Sequence, residues 1–491
     1  MDHPEIVTKY VEEEVALGRM LGPLEATEAQ GVHISRFGVI PKSQPGKWRL
    51  ITDLSHPPGG SVNDGIEKRL CSLQYVTVEM IAQQAVRLGR GALVAKLDVK
   101  SAYRLIPVHP HDRPLLGVRW KDQMYVDKML PFGLRSAPKI FTAVADALEW
   151  CIRRRGVQHV EHYLDDFATY GPPQSTECQQ NVDIIKSVCD ELGVPLAEDK
   201  LEGPTTKLTL LGIEIDTVSA TLRLPEAKLN KLQREVAEWA QKRSCTRKEL
   251  ESFIGTLQFA CRVIPAGRSF LRHMIASLSQ AKAPHHHIRL NRHFRGDLAW
   301  WAAFARQWNG VALLPEIKEA PPVCLATDAS GGWGCGGWSG SHWFQLQWPR
   351  ELMEKSIAIK ELVPIVIAVA IWGQKWARRR VLCHCDNAAV VAVVKSRYSK
   401  EPGLMHMLRC IFFMEAHFAC MLSATHVPGA MNTRADELSR NRLSSFLSKV
   451  PSASRCPSYI PQQLVQLITE TEQDWTSPHW TQQFITCVRR A

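Results

Sequence analysis

Val160-Glu161-His162-Tyr163-Leu164-Asp165-Asp166-Phe167-Ala168-Thr169-Tyr170 reads as two short strands joined by a tight turn, with two adjacent carboxylates at its tip. Working outward, Ser136 to Arg155 has helical spacing, with Ile140, Val144, Leu148 and Ile152 on one stripe. Before that, Leu93 to Asp98 is an apolar strand ending in a third carboxylate, and Ser101 opens a tight turn or short helix. Asp98, Asp165 and Asp166 come from distant sequence and can meet on one sheet face. Such a cluster repels itself unless cations fill it. Two divalent ions about 3.5 to 4 Å apart can activate an attacking hydroxyl and neutralise a leaving pyrophosphate. Mg²⁺ prefers oxygen ligands and needs only a few carboxylates beside substrate phosphates. Taken singly, each of these Asp residues equally suits a turn or a helix cap.

The rest of the chain organises around these segments. Residues 1–24 form an acidic amphipathic lead-in, and 25–224 hold the strands and helices around the three acids. Val39-Ile40 and Trp48 to Thr52 flank Pro41-Lys42-Ser43-Gln44-Pro45-Gly46-Lys47 as a hairpin would, with cations at its tip. Leu115 to Trp120 and Met124 to Val126 form another across Lys121-Asp122-Gln123. Residues 225–283 are helical and rich in Lys and Arg, and 284–320 are a mixed connector containing His285-His286-His287. Strands and helices alternate over 321–441. Residues 442–491 are rich in Ser, Pro and Gln and read as a poorly ordered tail without a clear core.

Asp98-Val99-Lys100-Ser101-Ala102-Tyr103, Leu130-Pro131-Phe132-Gly133-Leu134-Arg135-Ser136-Ala137-Pro138 and Tyr163-Leu164-Asp165-Asp166 resemble retroelement reverse transcriptases in order and spacing. The likeness extends through Leu192-Gly193-Val194, Lys200 and Leu211-Gly212-Ile213. The resemblance implies an α/β (α+β) right-hand polymerase, with fingers and palm over 25–224 and a thumb over 225–283. It implies that Asp98 and Asp165 bind the catalytic metal ions and that Asp166 supports them. The ions would be Mg²⁺, with Mn²⁺ as the alternative, two per active site. The backbone at Ser101 and Ala102 would cradle the triphosphate of a deoxynucleotide. Tyr103 resembles a steric gate, a ring beneath the sugar that leaves no room for a 2′-hydroxyl. Lys42 and Arg49 match the fingers cations that close on the β and γ phosphates. Phe132 and Gly133, with the turn after them, would support template and nucleotide, and Lys200 resembles a lysine that protonates pyrophosphate.

A second acidic set follows. Val323 to Asp328 is a buried strand ending in Asp, with a Gly-rich turn and another strand around Trp338 to Leu346 after it. A helix from about Ser356 carries Glu361, Val381 to Cys385 leads to Asp386-Asn387, and Asp436 lies in Thr433-Arg434-Ala435-Asp436-Glu437-Leu438-Ser439-Arg440. This set resembles the ribonuclease H family, whose acids fall as D, E, D and D on a mixed sheet with helices. The resemblance assigns metal binding and hydrolysis of RNA in an RNA/DNA hybrid to Asp328, Glu361, Asp386 and Asp436. His426 falls where several members keep a mobile histidine that helps product leave, although its neighbours equally suit the end of a strand. Pro364 departs from the pattern, since proline inside a helix removes a hydrogen bond and kinks it. Gly46-Lys47-Trp48-Arg49-Leu50-Ile51, Ser61-Val62-Asn63-Asp64-Gly65-Ile66, Leu192-Gly193-Val194-Pro195-Leu196-Ala197 and Asp474-Trp475-Thr476-Ser477-Pro478 resemble the tyrosine-recombinase (DIRS-like) retrotransposons in particular. No recombinase pattern accompanies them.

Composition sets the outer limits. A chain of 491 residues suggests about three units. The formal charge of +11 favours a polyanionic partner without saying which one, and the resemblance implies an RNA template, a DNA primer and their hybrid. The first residues lack the basic and apolar regions of a signal peptide, so an intracellular protein, cytoplasmic or nuclear, is expected. The most apolar segment, Leu362 to Trp372, is short for a membrane span and contains Pro364, so no membrane partner is expected. The 14 Cys are scattered without C-x-x-C motifs, which points to free thiols. Cys383 and Cys385, one strand face apart, read as core. Two other readings stand beside the polymerase: a repurposed nucleic-acid-binding remnant, and a ribonuclease H alone.

Overall fold

Leu93–Asp98 is apolar and almost continuously buried, as a strand covered on both faces must be. In the computed structural model, which describes residues 3–41, 48–263, 265–307, 311–313, 321–470 and 477–490, it is one of the two inner strands of a four-stranded antiparallel sheet. The strand order is Val160–Tyr163, Asp166–Gly171, Leu93–Asp98 and Glu202–Thr205. Helices Ala137–Arg154 and Glu177–Glu191 cover it, and Leu97, Phe141, Leu148, Ile152, Phe167, Val182 and Ile185 form the core between them. The buried face of the first helix differs from the expected stripe. Phe141 and Ala145 point inward, whereas Ile140 and Val144 are exposed. Ring volume at Phe141 fixes the rotation, and Leu148 and Ile152 belong to both faces.

These elements lie in the first of two compact units, Met1–Leu210 with Thr217–Ser219. The same unit holds a five-stranded sheet that includes both expected hairpins. Ile34–Pro41 pairs with Trp48–Asp53, and Gly117–Trp120 with Gln123–Asp127. Helix Pro4–Ala16 buries Val7 and Val11 against this sheet, and Glu14 accepts from the buried Arg104. The acidic lead-in is therefore part of the core.

The second unit, Leu211–Asp216 with Ala220–Ala491, contains what the sequence divides into thumb, connector, second acidic set and tail. Helices Glu226–Gln241 and Arg247–Ala260 occupy the thumb segment. A five-stranded mixed sheet follows, in the order His342–Gln347, Gly334–Ser339, Val323–Ala329, Arg380–Cys385, Met421–His426. The first three strands are antiparallel and the last three parallel. Parallel neighbours need crossovers, and helix Ile357–Trp372 packs on this sheet before Arg380–Cys385 begins.

Two expectations are corrected here. The apolar segment is longer than Leu362 to Trp372. Ile357–Trp376 forms 20 helical residues with an 18-residue window of mean hydropathy 1.7, enough by length and composition to cross a membrane. In this fold 78% of its most apolar window is buried, so it serves as the core helix of the unit. The segment 442–491 is likewise not a poorly ordered tail. Helices Leu443–Lys449, Gln462–Thr469 and Pro478–Arg490 bury Phe446, Leu464, Leu467, Trp480 and Phe484. The Ser and Pro between the helices dilute apolar stripes that are present at helical spacing.

Candidate active sites

Strand pairing assembles the first acidic set. Asp98 and Asp166 are register partners on adjacent strands, and the Val99 amide donates to the Asp165 carbonyl at 2.9 Å. Leu164 takes a left-handed backbone, φ 54°, to turn the hairpin so tightly that Asp165 falls beside the end of the Asp98 strand. Burial, then the charges of Asp165 and Asp98, push the Asp166 carboxyl up to about 6. That is how buried carboxylates respond when they share a site, here with the Lys96 and Lys200 charges opposing the rise. The donors are all oxygens, which suits a hard divalent cation.

Lys200 donates to Asp98 Oδ1 at 2.7 Å, and this contact holds its ammonium above the ordinary lysine range. The resemblance places Lys200 at pyrophosphate; here it is a direct partner of Asp98. Ser101 has a left-handed backbone, φ 57°, and Ala102 is buried at the start of the short helix Ala102–Leu105. The Tyr103 ring lies 5.2 Å from Phe132 and 5.8 Å from Phe141, and burial, with the nearby Asp165 charge, raises its phenol to about 12. Its hydroxyl stays neutral and its ring is held on two sides. Gly133 has φ +113°, and a Cβ there would fall 2.1 Å from the Thr52 carbonyl oxygen, so only glycine fits the turn. Lys42 lies outside the described residues. Arg49 is in strand Trp48–Asp53, with its side chain outside them.

The second acidic set converges on the mixed sheet. Asp328 lies near the end of Val323–Ala329 and is buried, and Ser439 donates to its Oδ2. Glu361 is buried on helix Ile357–Trp372, which runs on past Pro364. Burial, then Asp328 and Asp386, raises the Glu361 carboxyl to about 9, and burial raises Asp328 to about 6. Asp436, on helix Thr433–Ser439, pairs with Arg440 at 2.6 Å. His426 ends its strand and its Nε2 is 3.1 Å from the Asp386 carbonyl oxygen. Ligand atoms of Glu361, Cys385 and Asp386 lie within 4.8 Å of one another. Cys385 is therefore a neighbour of the acids that the core reading missed. Alternation along Arg380–Cys385 gave the signal, because it turns Cys383 and Cys385 to the same buried face. His285-His286-His287 forms no such group among the described residues.

One unit thus carries an antiparallel sheet with three neighbouring acids, and the other a mixed sheet with four. Residues 40–215 match the family described as "Reverse transcriptase (RNA-dependent DNA polymerase)". This segment is similar to the reverse transcriptase domain found in retroelement polyproteins. It is 21% identical to Polyprotein P3 of Commelina yellow mottle virus over 446 residues, covering 86% of this chain and 22% of the relative. It is 23% identical to the Transposon Tf2-3 polyprotein of Schizosaccharomyces pombe over 309 residues, covering 62% and 20%. The chain thus spans about a fifth of the length of these relatives. Among solved structures, a foamy viral protease-reverse transcriptase in complex with RNA/DNA hybrid aligns with a TM-score of 0.51 at 14% identity, covering 87% of this chain and 54% of that one. The same protein in complex with dsDNA aligns with a TM-score of 0.51 at 14% identity, covering 86% and 82%. The likeness supports the fold of a polymerase followed by a ribonuclease H-like domain.

Proposed function

We propose that the chain is an RNA-directed DNA polymerase of a retroelement, with a linked ribonuclease H that removes RNA from the hybrid just made. The observation that carries the polymerase half is the register pairing of Asp98 with Asp166, with Asp165 held beside Val99. Two Mg²⁺ ions bound there would supply charge neutralisation for phosphoryl transfer and activation of the primer hydroxyl. The residues do the rest. Asp98 and Asp165 hold the ions, Asp166 supports them, and the turn at Ser101 and Ala102 offers backbone amides to the triphosphate. The Tyr103 ring, fixed between Phe132 and Phe141, excludes a 2′-hydroxyl and so favours deoxynucleotides.

Asp328, Glu361, Asp386 and Asp436 would hold the second pair of ions and hydrolyse the RNA strand. His426 would assist release. The foamy viral relatives bound to RNA/DNA hybrid and dsDNA support nucleic-acid partners of both kinds. The motif wording supports a tyrosine-recombinase (DIRS-like) affiliation. Primer extension on an RNA template tests the reading. The chain should incorporate deoxynucleotides in Mg²⁺ and reject ribonucleotides, and Tyr103→Val should admit them. Equal use of both sugars by the unaltered chain would remove the gate assignment.

A further inference from the structure

Asn63 lies outside both acidic sets, yet it is only 4% exposed and every polar atom of its side chain is engaged. Its Nδ2 donates to Ser55 Oγ at 2.9 Å and to the Gly133 carbonyl at 2.9 Å. Its Oδ1 accepts from the Arg135 amide at 2.8 Å. Its own amide donates to the Leu54 carbonyl at 2.9 Å, and its carbonyl accepts from Arg135 Nη1. Arg135 Nη1 also reaches the Ile66 carbonyl at 2.7 Å. One buried amide thus joins two segments some seventy residues apart.

Neither segment has slack. Residues 61–65 form a short turn closed by a capping box between Ser61 and Asp64, and Gly59 donates to the same Asp64 carboxylate at 2.7 Å. Across the joint, Thr52 donates to the Phe132 carbonyl at 3.2 Å, and Gly133 is pressed so closely on Thr52 that no side chain fits. Phe132 meets Tyr103, five residues beyond Asp98. A shift at Gly133 therefore moves a wall of the space in front of the acids.

We infer that Asn63 is a positioning residue of the polymerase site, holding the turn at residues 132–135 so that Phe132 and Tyr103 stand at a fixed distance for the incoming nucleotide. It rests on the polymerase reading, which extension by the unaltered chain tests separately. Replacing a buried, fully bonded amide leaves its partners unsatisfied, and the turn relaxes to recover them. In steady-state extension with the full chain, Asn63→Ala should raise the deoxynucleotide KM about tenfold and leave kcat within about twofold. Asn63→Asp keeps the acceptor for Arg135 but loses both donors, so it should raise KM as well, and it carries the test if the alanine variant does not fold. Ser55→Ala removes the link to Ser55 and spares the link to Gly133; its KM should match that of the unaltered chain. A kcat loss with KM unchanged in both Asn63 variants marks a merely structural residue and overturns the inference. So does a Ser55→Ala KM as high as that of Asn63→Ala.

Discussion

The Lys200 ammonium lies 2.7 Å from Asp98 Oδ1, on the carboxylate that pairs in register with Asp166. A cation already neutralises one of the three acids, so Lys200 would compete with a metal ion held by Asp98. The lysine side chain is 56% exposed, which limits what the contact contributes. Lys200→Ala should lower the Mg²⁺ concentration for half-maximal extension by about threefold. If Lys200 also delivers a proton to pyrophosphate, kcat falls in the same variant throughout the neutral range, where the ammonium is protonated. A Mg²⁺ titration of extension reads both.

Glu361 gives a prediction about stability. Burial and its acidic neighbours raise its carboxyl from 4.5 to about 9, so the folded state binds a proton that the unfolded chain has released. The contribution of Glu361 to stability without metal is therefore full at low pH and declines as pH rises from about 4.5 towards 9. Glu361→Gln should raise the Tm of metal-free protein at pH 8 by roughly 2 to 4 °C for each kcal/mol of relieved repulsion. The same substitution should abolish hybrid cleavage. Thermal unfolding in chelator at pH 5 and pH 8 reads the sign, and the gain should be smaller at pH 5.

Trp480 fixes the C-terminal helix. Its ring lies 4.3 Å from His406 and 5.1 Å from Phe484, and its Nε1 donates to the Leu467 carbonyl at 2.9 Å. Trp480→Ala should cost about 3 to 5 kcal/mol. Urea unfolding monitored on the second unit measures it.

Asp297 shows the opposite pH behaviour to Glu361. It is fully buried, and Arg409 and His273 hold its carboxyl below the ordinary value despite burial. Its contribution is present above the unfolded carboxylate pKa of 3.8 and is lost as pH falls through the lower folded value. Asp297→Ala leaves Arg409 uncompensated and should cost about 3 to 5 kcal/mol at pH 7. Denaturant titrations of both proteins at pH 7 and pH 3 should converge towards the acid end.

The carboxylates were legible because strand ends and hairpin tips can be read from short apolar runs bounded by turn residues, and Asp98, Asp165 and Asp166 lie at those ends on adjacent strands. The same holds for Asp328 and Asp386. What the pattern could not supply is the helix rotation that buries Phe141 and exposes Ile140, since both residues satisfy an apolar stripe and only ring volume against the sheet distinguishes them. Asn63 falls in a stretch that carries the family resemblance, but its contacts were not legible, for another reason. An asparagine in a Ser, Gly and Pro-rich stretch reads as a turn residue, and its partners at Gly133 and Arg135 are set by tertiary contact. The C-terminal helices were obscured because Ser and Pro between them dominate the local composition.

The most direct test of the account is a paired assay on the full chain, reading primer extension on an RNA template and cleavage of an RNA/DNA hybrid in Mg²⁺. The account predicts that Asp165→Asn abolishes extension and retains cleavage, and that Asp386→Asn does the reverse. Undiminished extension by Asp165→Asn would contradict the assignment of Asp98, Asp165 and Asp166 as the polymerase site.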